Sequence, residues 1–121
     1  MEGMKAMLHL HLKEQIEGEL DAVVELHQDA LLVHLPNGVS AELRFLDEAQ
    51  YSFNWRWGDA ELRIDTAPLH PELATFPNHL HGVDGQVLAD PVSMPGQTPW
   101  ENANRLLKLL QQNPLLDAEP A

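Results

Sequence analysis

Residues 51–65 read YSFNWRWGDAELRID, and this stretch decides the fold. Aromatic residues occupy alternate positions from Tyr51 to Trp57, which is the spacing of side chains on one face of a β-strand. Gly58-Asp59 is typical of a two-residue hairpin turn. That turn predicts one register for both faces, pairing Phe53 with Ile64, Trp55 with Leu62, Ser52 with Asp65, Asn54 with Arg63 and Arg56 with Glu61. The stretch therefore predicts an antiparallel hairpin with one apolar and one polar face.

A second hairpin is predicted upstream, around the turn sequence Pro36-Asn37-Gly38. Pro36 is suited to start a type I turn, and Gly38 to take the left-handed position of a three-residue loop. With that loop length the apolar residues of both strands share one face, pairing Leu35 with Val39, Val33 with Ala41 and Leu31 with Leu43. A two-residue turn would put the two apolar sets on opposite faces, so we predict the longer loop.

Helices are predicted at both ends of this sheet. Apolar residues four positions apart indicate a helix over residues 4–20, although the alternation at residues 8–12 also fits a strand. The members of this helical face are Met4, Leu8, Leu12, Ile16 and Leu20. Thr98-Pro99-Trp100-Glu101 is typical of a capping box, so a second helix is predicted from Pro99 to near Gln112. Its expected buried stripe is Trp100, Ala103, Leu107 and Leu110.

These elements predict a single α+β domain over residues 1–113, followed by a flexible tail over residues 114–121. The sheet is expected to be an antiparallel β-meander of four to five strands, with residues 86–89 as a candidate edge strand. One N-terminal and one C-terminal helix complete the domain. Four histidines are expected on solvated faces of the first helix and the strands: His9, His11, His27 and His34.

The composition limits the classes of partner. Nineteen Asp and Glu stand against seven Lys and Arg, and the formal net charge of −12 disfavours broad binding to nucleic acids or anionic membranes. The absence of cysteine excludes disulfides, zinc–thiolate sites and cysteine nucleophiles. No apolar run approaches the roughly 20 residues of a membrane span, and the N-terminus lacks the pattern of a signal peptide. We therefore expect a cytoplasmic protein that does not bind membranes.

The end of the hairpin and the segment after it carry the groups best suited to chemistry. His70, His79 and His81 fall within twelve residues, downstream of Arg63 and Asp65 on the polar face of the hairpin. Imidazoles transfer protons near neutral pH, a carboxylate fixes the tautomer of a ring, and a guanidinium binds phosphate. We expect these five side chains to converge, with Asp65 within hydrogen-bond reach of an imidazole or of Arg63.

The segment between these groups is proline-rich. Pro68, Pro71 and Pro77 exclude a long regular element. An irregular, rigid loop packed against the polar face of the hairpin is therefore expected. Phe76 is expected to be its buried anchor, because an aromatic ring is costly to leave in water.

Two other roles remain open for these side chains. Asp65 could accept backbone N–H bonds while the imidazoles satisfy carbonyls, in which case the residues only brace the loop. A metal site of His70, His79, His81 and Asp65 also fits the residue types, since imidazole and carboxylate suit zinc, nickel or iron. The H-x-H spacing is frequent by chance, however, and we expect no bound metal or cofactor.

The run RIDTAPLHPELATFPNHLH over residues 63–81 resembles the signature of the TumE family of toxin–antitoxin proteins. Members typically carry an arginine, an aromatic residue and then aspartate-asparagine-alanine-proline-histidine-histidine-proline. Threonine-phenylalanine-proline-histidine-histidine-x-histidine follows a few residues later. The resemblance extends from about residue 30 to 112 and is specific over residues 51–81. The chain departs from the pattern at four positions, which are Thr66, Leu69, Asn78 and Leu80.

The resemblance implies a small cytoplasmic toxin that acts as an endoribonuclease and is held in check by a cognate antitoxin protein. The residues that carry over to its site are Arg63, Asp65, His70, His79 and His81. They allow a metal-independent mechanism in which His79 or His81 takes the proton of a ribose 2′-hydroxyl and His70 protonates the leaving oxygen. Arg63 would steady the phosphorane charge, and Asp65 would orient the base.

Substrate contacts are expected outside these five residues as well. Tyr51 and Arg56 are candidate substrate-binding residues, and single-stranded RNA could stack on Tyr51 or Trp57. The alternative is a non-catalytic acidic protein-binding module or degenerate toxin-like domain. The departures at Leu69, Asn78 and Leu80 favour that alternative. The net charge favours it too, because seven cations give little attraction for RNA.

Overall fold

The computed structural model of the chain describes residues 2–116. Within that range it contains two helices and seven strands: α1 Glu2–Glu19, β1 Val23–His27, β2 Ala30–His34, β3 Ser40–Phe45, β4 Tyr51–Trp57, β5 Ala60–Asp65, β6 His79–His81, β7 Val87–Ala89 and α2 Pro99–Gln112. The strands form one antiparallel sheet in chain order, from β1 to β7. The α+β class and the two terminal helices are confirmed, whereas the expectation of four to five strands is wrong.

Two of the seven strands, β1 and β6, are additional to the predicted ones. β1 alternates Val24 and Leu26 with Glu25 and His27, but it buries only Val24 among its five side chains. β6 is three residues long and directly follows the proline-rich segment. The candidate edge strand at residues 86–89 is observed as β7.

Both hairpin registers are confirmed. Across β2 and β3, Leu31 lies opposite Leu43 and Val33 opposite Ala41. Across β4 and β5, the five predicted pairs are all observed, Phe53 with Ile64 and Ser52 with Asp65 among them. The turn glycines Gly38 and Gly58 have φ of +96° and +61°, a region that side-chain-bearing residues rarely adopt.

One face of the sheet and both helices enclose the hydrophobic core. Its largest fully buried side chains are Phe45, Phe53 and Trp55 from the sheet, packed with Leu106 and Leu107 from α2. The other face of the β4–β5 hairpin carries Ser52, Asn54, Arg63 and Asp65, which are partly exposed. The alternation of the strands therefore separates a packing face from a polar face that reaches solvent.

The buried stripe of α1 differs from the predicted one. His9 is fully buried with Leu12 and Ile16, while Leu8 is only half-buried. Nε2 of His9 accepts a hydrogen bond from the Phe45 N–H at 3.2 Å. Placing His9 on a solvated face was therefore wrong: positions 9, 12 and 16 follow the three-then-four spacing of a helical face. The side chain of Met4 lies outside the described residues.

α2 begins as its sequence predicts. The Thr98 hydroxyl accepts the Glu101 N–H at 3.1 Å, and the Glu101 carboxylate accepts the Thr98 N–H at 3.2 Å, which completes the capping box. Ala103, Leu107 and Leu110 are buried as expected, and Trp100 is half-buried. The buried stripe also includes Asn102 and Leu106.

Residues 114–116, which the sequence assigns to the tail, contact the core. The carbonyl of Pro114 accepts the indole N–H of Trp55 at 2.8 Å. Leu115 and Leu116 pack against the core. The rest of the expected tail, residues 117–121, lies outside the described residues.

The capping box allows a test of the helix boundary. Thr98→Ala removes the acceptor for the Glu101 N–H, and we expect the free energy of unfolding to fall by about 1 kcal/mol. Thr98→Ser keeps the hydroxyl and is the matched control, with an expected change of a few tenths of that size. Urea unfolding followed by circular dichroism measures both. Equal stability of wild type and Thr98→Ala would contradict this helix start.

Candidate functional site

The antiparallel pairing of β6 with β5 builds the candidate site. His79 lies opposite Asp65 and His81 opposite Arg63, while Leu80 lies opposite Ile64 on the core face. Because side chains alternate along a strand, the two histidines and their partners share the polar face. The sequence separates these groups by up to 18 residues, and the pairing makes them neighbours.

A series of tight turns brings the chain back from β5 to β6. The N–H groups of Leu73, Phe76 and Asn78 each donate to the carbonyl three residues earlier. Phe76 is 44% exposed, so the prediction of a buried aromatic anchor is wrong. Consecutive three-residue turns leave the ring on the outside of the loop.

The anchor of this loop is the buried amide of Asn78. Its Nδ2 donates to the Tyr51 hydroxyl at 2.8 Å, to Asp90 Oδ2 at 3.0 Å and to Ser93 Oγ at 3.1 Å. Thr75 adds a second link, since its Oγ1 accepts the Asp90 N–H at 2.8 Å. A polar network therefore fixes the end of the loop directly before β6.

The five candidate side chains lie together in the structure. Asp65 Oδ2 accepts Nε–H of Arg63 at 2.8 Å, and Asp65 Oδ1 lies 3.1 Å from Nε2 of His79. Nε2 of His81 is 3.8 Å from Asp65 Oδ2. The rings of His70 and His81 both contact the ring of His79, with centroid-to-centroid distances of 4.9 Å and 4.8 Å. We call Asp65, His70, His79 and His81, with Arg63, the histidine cluster.

Exposure divides the histidine cluster into an inner and an outer part. The side chain of His79 is 1% exposed and that of Asp65 is 13% exposed, so both are inaccessible to a bulky ligand. The side chains of His70, His81 and Arg63 are 29%, 38% and 44% exposed. Only this outer part can touch a substrate.

Charge in the cluster follows from its contacts. Burial raises the pKa of Asp65, but the hydrogen bonds from Arg63 and from the Ala67 N–H lower it by more than burial raises it. The pKa of Asp65 therefore lies below its ordinary value. Burial and the neighbouring His79 lower the pKa of His81, which leaves this ring neutral at pH 7. The site at neutral pH therefore combines a carboxylate, a guanidinium and an uncharged imidazole.

Some of these contacts also brace the loop. Asp65 Oδ1 accepts the Ala67 N–H at 3.0 Å, and Nδ1 of His79 lies 3.2 Å from the Pro77 carbonyl oxygen. Both are the contacts that a purely structural role requires. The partly exposed rings of His70 and His81 face carboxylates instead: Nδ1 of His70 lies 3.5 Å from Glu72 Oε2, and Nε2 of His81 lies 3.8 Å from Asp65 Oδ2.

A cleft of about 620 Å³ adjoins the cluster. Arg63 and Asp65 form one side of it, and Arg44, Leu46 and Pro68 lie among its other lining residues. Arg44 is paired with Asp29 at 2.9 Å and with Glu42 at 3.4 Å. Both arginines of the cleft thus have carboxylate partners, so the cleft is mixed in charge.

The remaining predicted residues lie elsewhere. Tyr51 is 4% exposed and its hydroxyl donates to Ser93, so its ring is closed to stacking by a base. Burial raises the pKa of this tyrosine. Arg56 forms an ion pair with Glu61 at 3.0 Å. It lies two register positions from Arg63, toward the hairpin turn and away from Asp65. The exposed Trp57 lies beyond Arg56 at the same end.

The four departures from the TumE pattern have different consequences. Leu80 is buried on the core face and removes nothing from the cluster. Thr66 bonds through Oγ1 to the backbone of Tyr51, accepting its N–H at 3.1 Å. Asn78 anchors the loop, as described above, and Leu69 is exposed. Three of the four side chains therefore have structural places of their own.

Sequence reasoning missed three residues that hold the site. Asn54 Oδ1 accepts Nη1–H of Arg63 at 3.0 Å and so orients the guanidinium together with Asp65. Asp90 and Ser93 complete the network around Asn78. The Asp90-Pro91-Val92-Ser93 sequence carries a turn signal that could have indicated Asp90, since its carboxylate caps two following N–H groups.

No known family model, curated protein or solved structure matches the chain. The likeness to the TumE family therefore rests on the motif over residues 51–81 alone. None of the helices in residues 2–116 is long and apolar enough to cross a membrane.

Asp65 gives the cluster a pH-dependent contribution to stability. Because its pKa is lowered on folding, the contribution is present at neutral pH and is lost as pH falls through the folded pKa. We expect Asp65→Asn to reduce the free energy of unfolding at pH 7 by about 1–2 kcal/mol, since one charge-assisted hydrogen bond is lost beside a partly exposed arginine.

Urea unfolding of both proteins from pH 7 to pH 3 measures this contribution. The difference between wild type and Asp65→Asn should narrow steadily as the acid limit is approached. Glu14→Gln, at an exposed position of α1, is the control for removal of one negative charge. A difference that stays constant with pH would show that Asp65 acts through packing instead of charge.

Proposed function

We propose that the chain cleaves single-stranded RNA at the histidine cluster, as the toxin of a toxin–antitoxin pair in the cytoplasm. One observation carries the proposal: two partly exposed imidazoles, His70 and His81, flank a buried carboxylate–histidine pair beside an arginine. Acid–base cleavage of RNA needs two proton-transfer groups and a cation for the phosphate. Arg63 and His81 lie on one polar face of the sheet, and the ring of His70 reaches it from the loop by contacting His79.

The exposure of the side chains assigns the roles. The neutral ring of His81 takes the proton from the ribose 2′-hydroxyl, whose oxygen then attacks the adjacent phosphorus. His70 gives a proton to the 5′-oxygen as the P–O5′ bond breaks. The products are a 2′,3′-cyclic phosphate and a free 5′-hydroxyl. His79 is buried, so it acts as a positioning residue in place of the base that sequence reasoning allowed.

Arg63 binds the phosphate in this mechanism. Its Nε and Nη1 are held by Asp65 and Asn54, which fixes the plane of the guanidinium. A cation fixed in this way stabilises the charge of the phosphorane without having to reorganise during the reaction. The neighbouring cleft has room for one nucleotide of single-stranded RNA, because a base in an unpaired strand can leave the stack and enter a cleft.

The negative charge of the chain affects how strongly it would attract RNA. Both cleft arginines are paired with carboxylates, and the formal net charge is −12. Long-range attraction of RNA is therefore weak, and substrate affinity should change little with salt. We propose that a basic antitoxin binds this acidic surface, since opposite charges speed association and favour the correct partner.

Removal of the two outer histidines tests the proposal. We expect His70→Ala and His81→Ala each to slow cleavage of a single-stranded oligoribonucleotide by about 10²–10⁴-fold with little change in melting temperature. A substrate with deoxyribose at the cleaved position should be resistant, and EDTA should have no effect. His79→Ala should also lower the melting temperature, because its ring is buried.

The matched control is His34→Ala. His34 is 37% exposed on the same sheet and lies 2.7 Å from the carboxylate of Glu25, which reproduces the surroundings of His81 at a distance from the cleft. Its removal should leave cleavage unchanged. Equal rates for wild type, His70→Ala and His81→Ala would overturn the proposed mechanism.

A binding module without catalysis is the second candidate. The paired arginines of the cleft favour it, because they leave no unpartnered cation there for a phosphate among the described residues. Expression of the chain alone and together with its neighbouring gene separates the two candidates. Growth arrest that the neighbour relieves and that His81→Ala abolishes supports the toxin, whereas growth without arrest supports the binding module.

A further inference from the structure

Three residues of the histidine cluster have the geometry of a metal site. One ligand atom each from Asp65, His79 and His81 lies within 4.8 Å of the other two. Ligands around a tetrahedral zinc ion at bond lengths of about 2.0–2.2 Å are spaced roughly 3–3.6 Å apart, so small side-chain shifts suffice to close the site. His70 falls outside this group, which narrows the four-residue set that the sequence allowed.

The buried ring of His79 points to a ligand. Its Nε2 is buried and forms no hydrogen bond, although Asp65 Oδ1 is 3.1 Å away. Its Nδ1 faces the Pro77 carbonyl oxygen at 3.2 Å. An Nδ1–H donated to that carbonyl leaves a lone pair on Nε2 aimed at a carboxylate, an arrangement that a cation between them would stabilise.

The side chains of Asp65 and His81 are also held in position for a cation. Asp65 is held by Nε of Arg63 and by the Ala67 N–H, so its carboxylate is fixed before any ion binds. His81 projects from β6 two residues after His79, on the same face. Metal-binding imidazoles in proteins commonly have their second nitrogen bonded to a carbonyl and their carboxylate partners bonded in turn.

We propose that Asp65, His79 and His81 bind one zinc-class divalent cation with an open coordination position toward solvent. Two imidazoles and one carboxylate suit Zn²⁺ and disfavour Mg²⁺, which prefers oxygen ligands in octahedral geometry. The open position lies on the side of the partly exposed His81 and of Arg63. An anionic group bound there would contact both the cation and the guanidinium.

The cation would regulate the reaction proposed above, and this consequence rests on that proposed function. A lone pair that coordinates zinc is unavailable to remove a proton, so bound Zn²⁺ would inhibit cleavage by His81. Binding of the ion itself does not depend on any ribonuclease activity. The two inferences therefore have separate readouts.

Titration of the full chain with Zn²⁺, after dialysis against a chelator, tests the site. Calorimetry should show one Zn²⁺ per chain and no comparable binding of Mg²⁺. Asp65→Asn and His81→Ala should each weaken Zn²⁺ binding by more than the roughly 10–100-fold that loss of an outer partner costs. Zn²⁺ should also raise the melting temperature of the wild type and not that of these variants.

The control is the double variant His27→Ala/His34→Ala. These two histidines flank the carboxylate of Glu25 at 3.6 Å and 2.7 Å, so they form a second pair of imidazoles beside one carboxylate. The double variant should bind Zn²⁺ as the wild type does. Loss of binding there, with retention in Asp65→Asn, would move the site to Glu25 and overturn the proposal.

Folding and activity are controlled separately. Asp65→Asn keeps an acceptor for the Ala67 N–H, and its melting curve without zinc checks that it is folded. Zn²⁺ binding without RNA cleavage would sustain the metal site and overturn the ribonuclease. Cleavage that Zn²⁺ leaves unchanged would overturn the regulatory role, and absence of Zn²⁺ binding would overturn the site.

Discussion

The pairing of β5 with β6 is the constraint on which the rest of the site depends. Three residue pairs place a histidine opposite an aspartate and another opposite an arginine. The same three pairs send Leu80 into the core beside Ile64, so a hydrophobic contact fixes the register of the polar groups. A shift of one residue would turn both histidines into the core and Leu80 to solvent, and burial energy opposes this.

The loop that makes this pairing possible is held by polar contacts. An aromatic anchor is the ordinary expectation for a long irregular segment, yet Phe76 lies outside and Asn78 lies inside. The amide succeeds because its Nδ2 donates to Tyr51, Asp90 and Ser93, which join one buried polar network. The position at which TumE proteins usually have a histidine is thus a structural position in this chain.

The charge of the histidine cluster differs from the net charge of the whole chain. The chain carries −12, but the cluster contains the guanidinium of Arg63 and three imidazoles around the carboxylate of Asp65. One further carboxylate, that of Glu72, lies 3.5 Å from His70. Acidity elsewhere weakens long-range attraction of RNA without changing what the cluster can do at contact. The close approach of Asp65 to His79 places a carboxylate and an imidazole beside the partly exposed rings of His70 and His81.

Much of the fold could be predicted from sequence because its signals are local. Alternation of apolar residues with glycine turns specifies the hairpins, and Thr98 with Glu101 specifies the start of α2. β1 and β6 were not predicted as strands: the first is only five residues long and the second only three, too short for a decisive pattern. His9 was misplaced because a polar residue on an apolar stripe is recognised as buried only when its partner, the Phe45 N–H, is known.

The sequence by itself determined that Arg63 and Asp65 share a face, because strand alternation is a property of the local backbone. It could not determine the depth of each histidine. Only the tertiary structure placed His79 inside and left His70 and His81 partly exposed, since burial depends on which segments pack over a residue. That difference in exposure, set by contacts distant in the chain, divides one histidine cluster into a buried part and a partly exposed part.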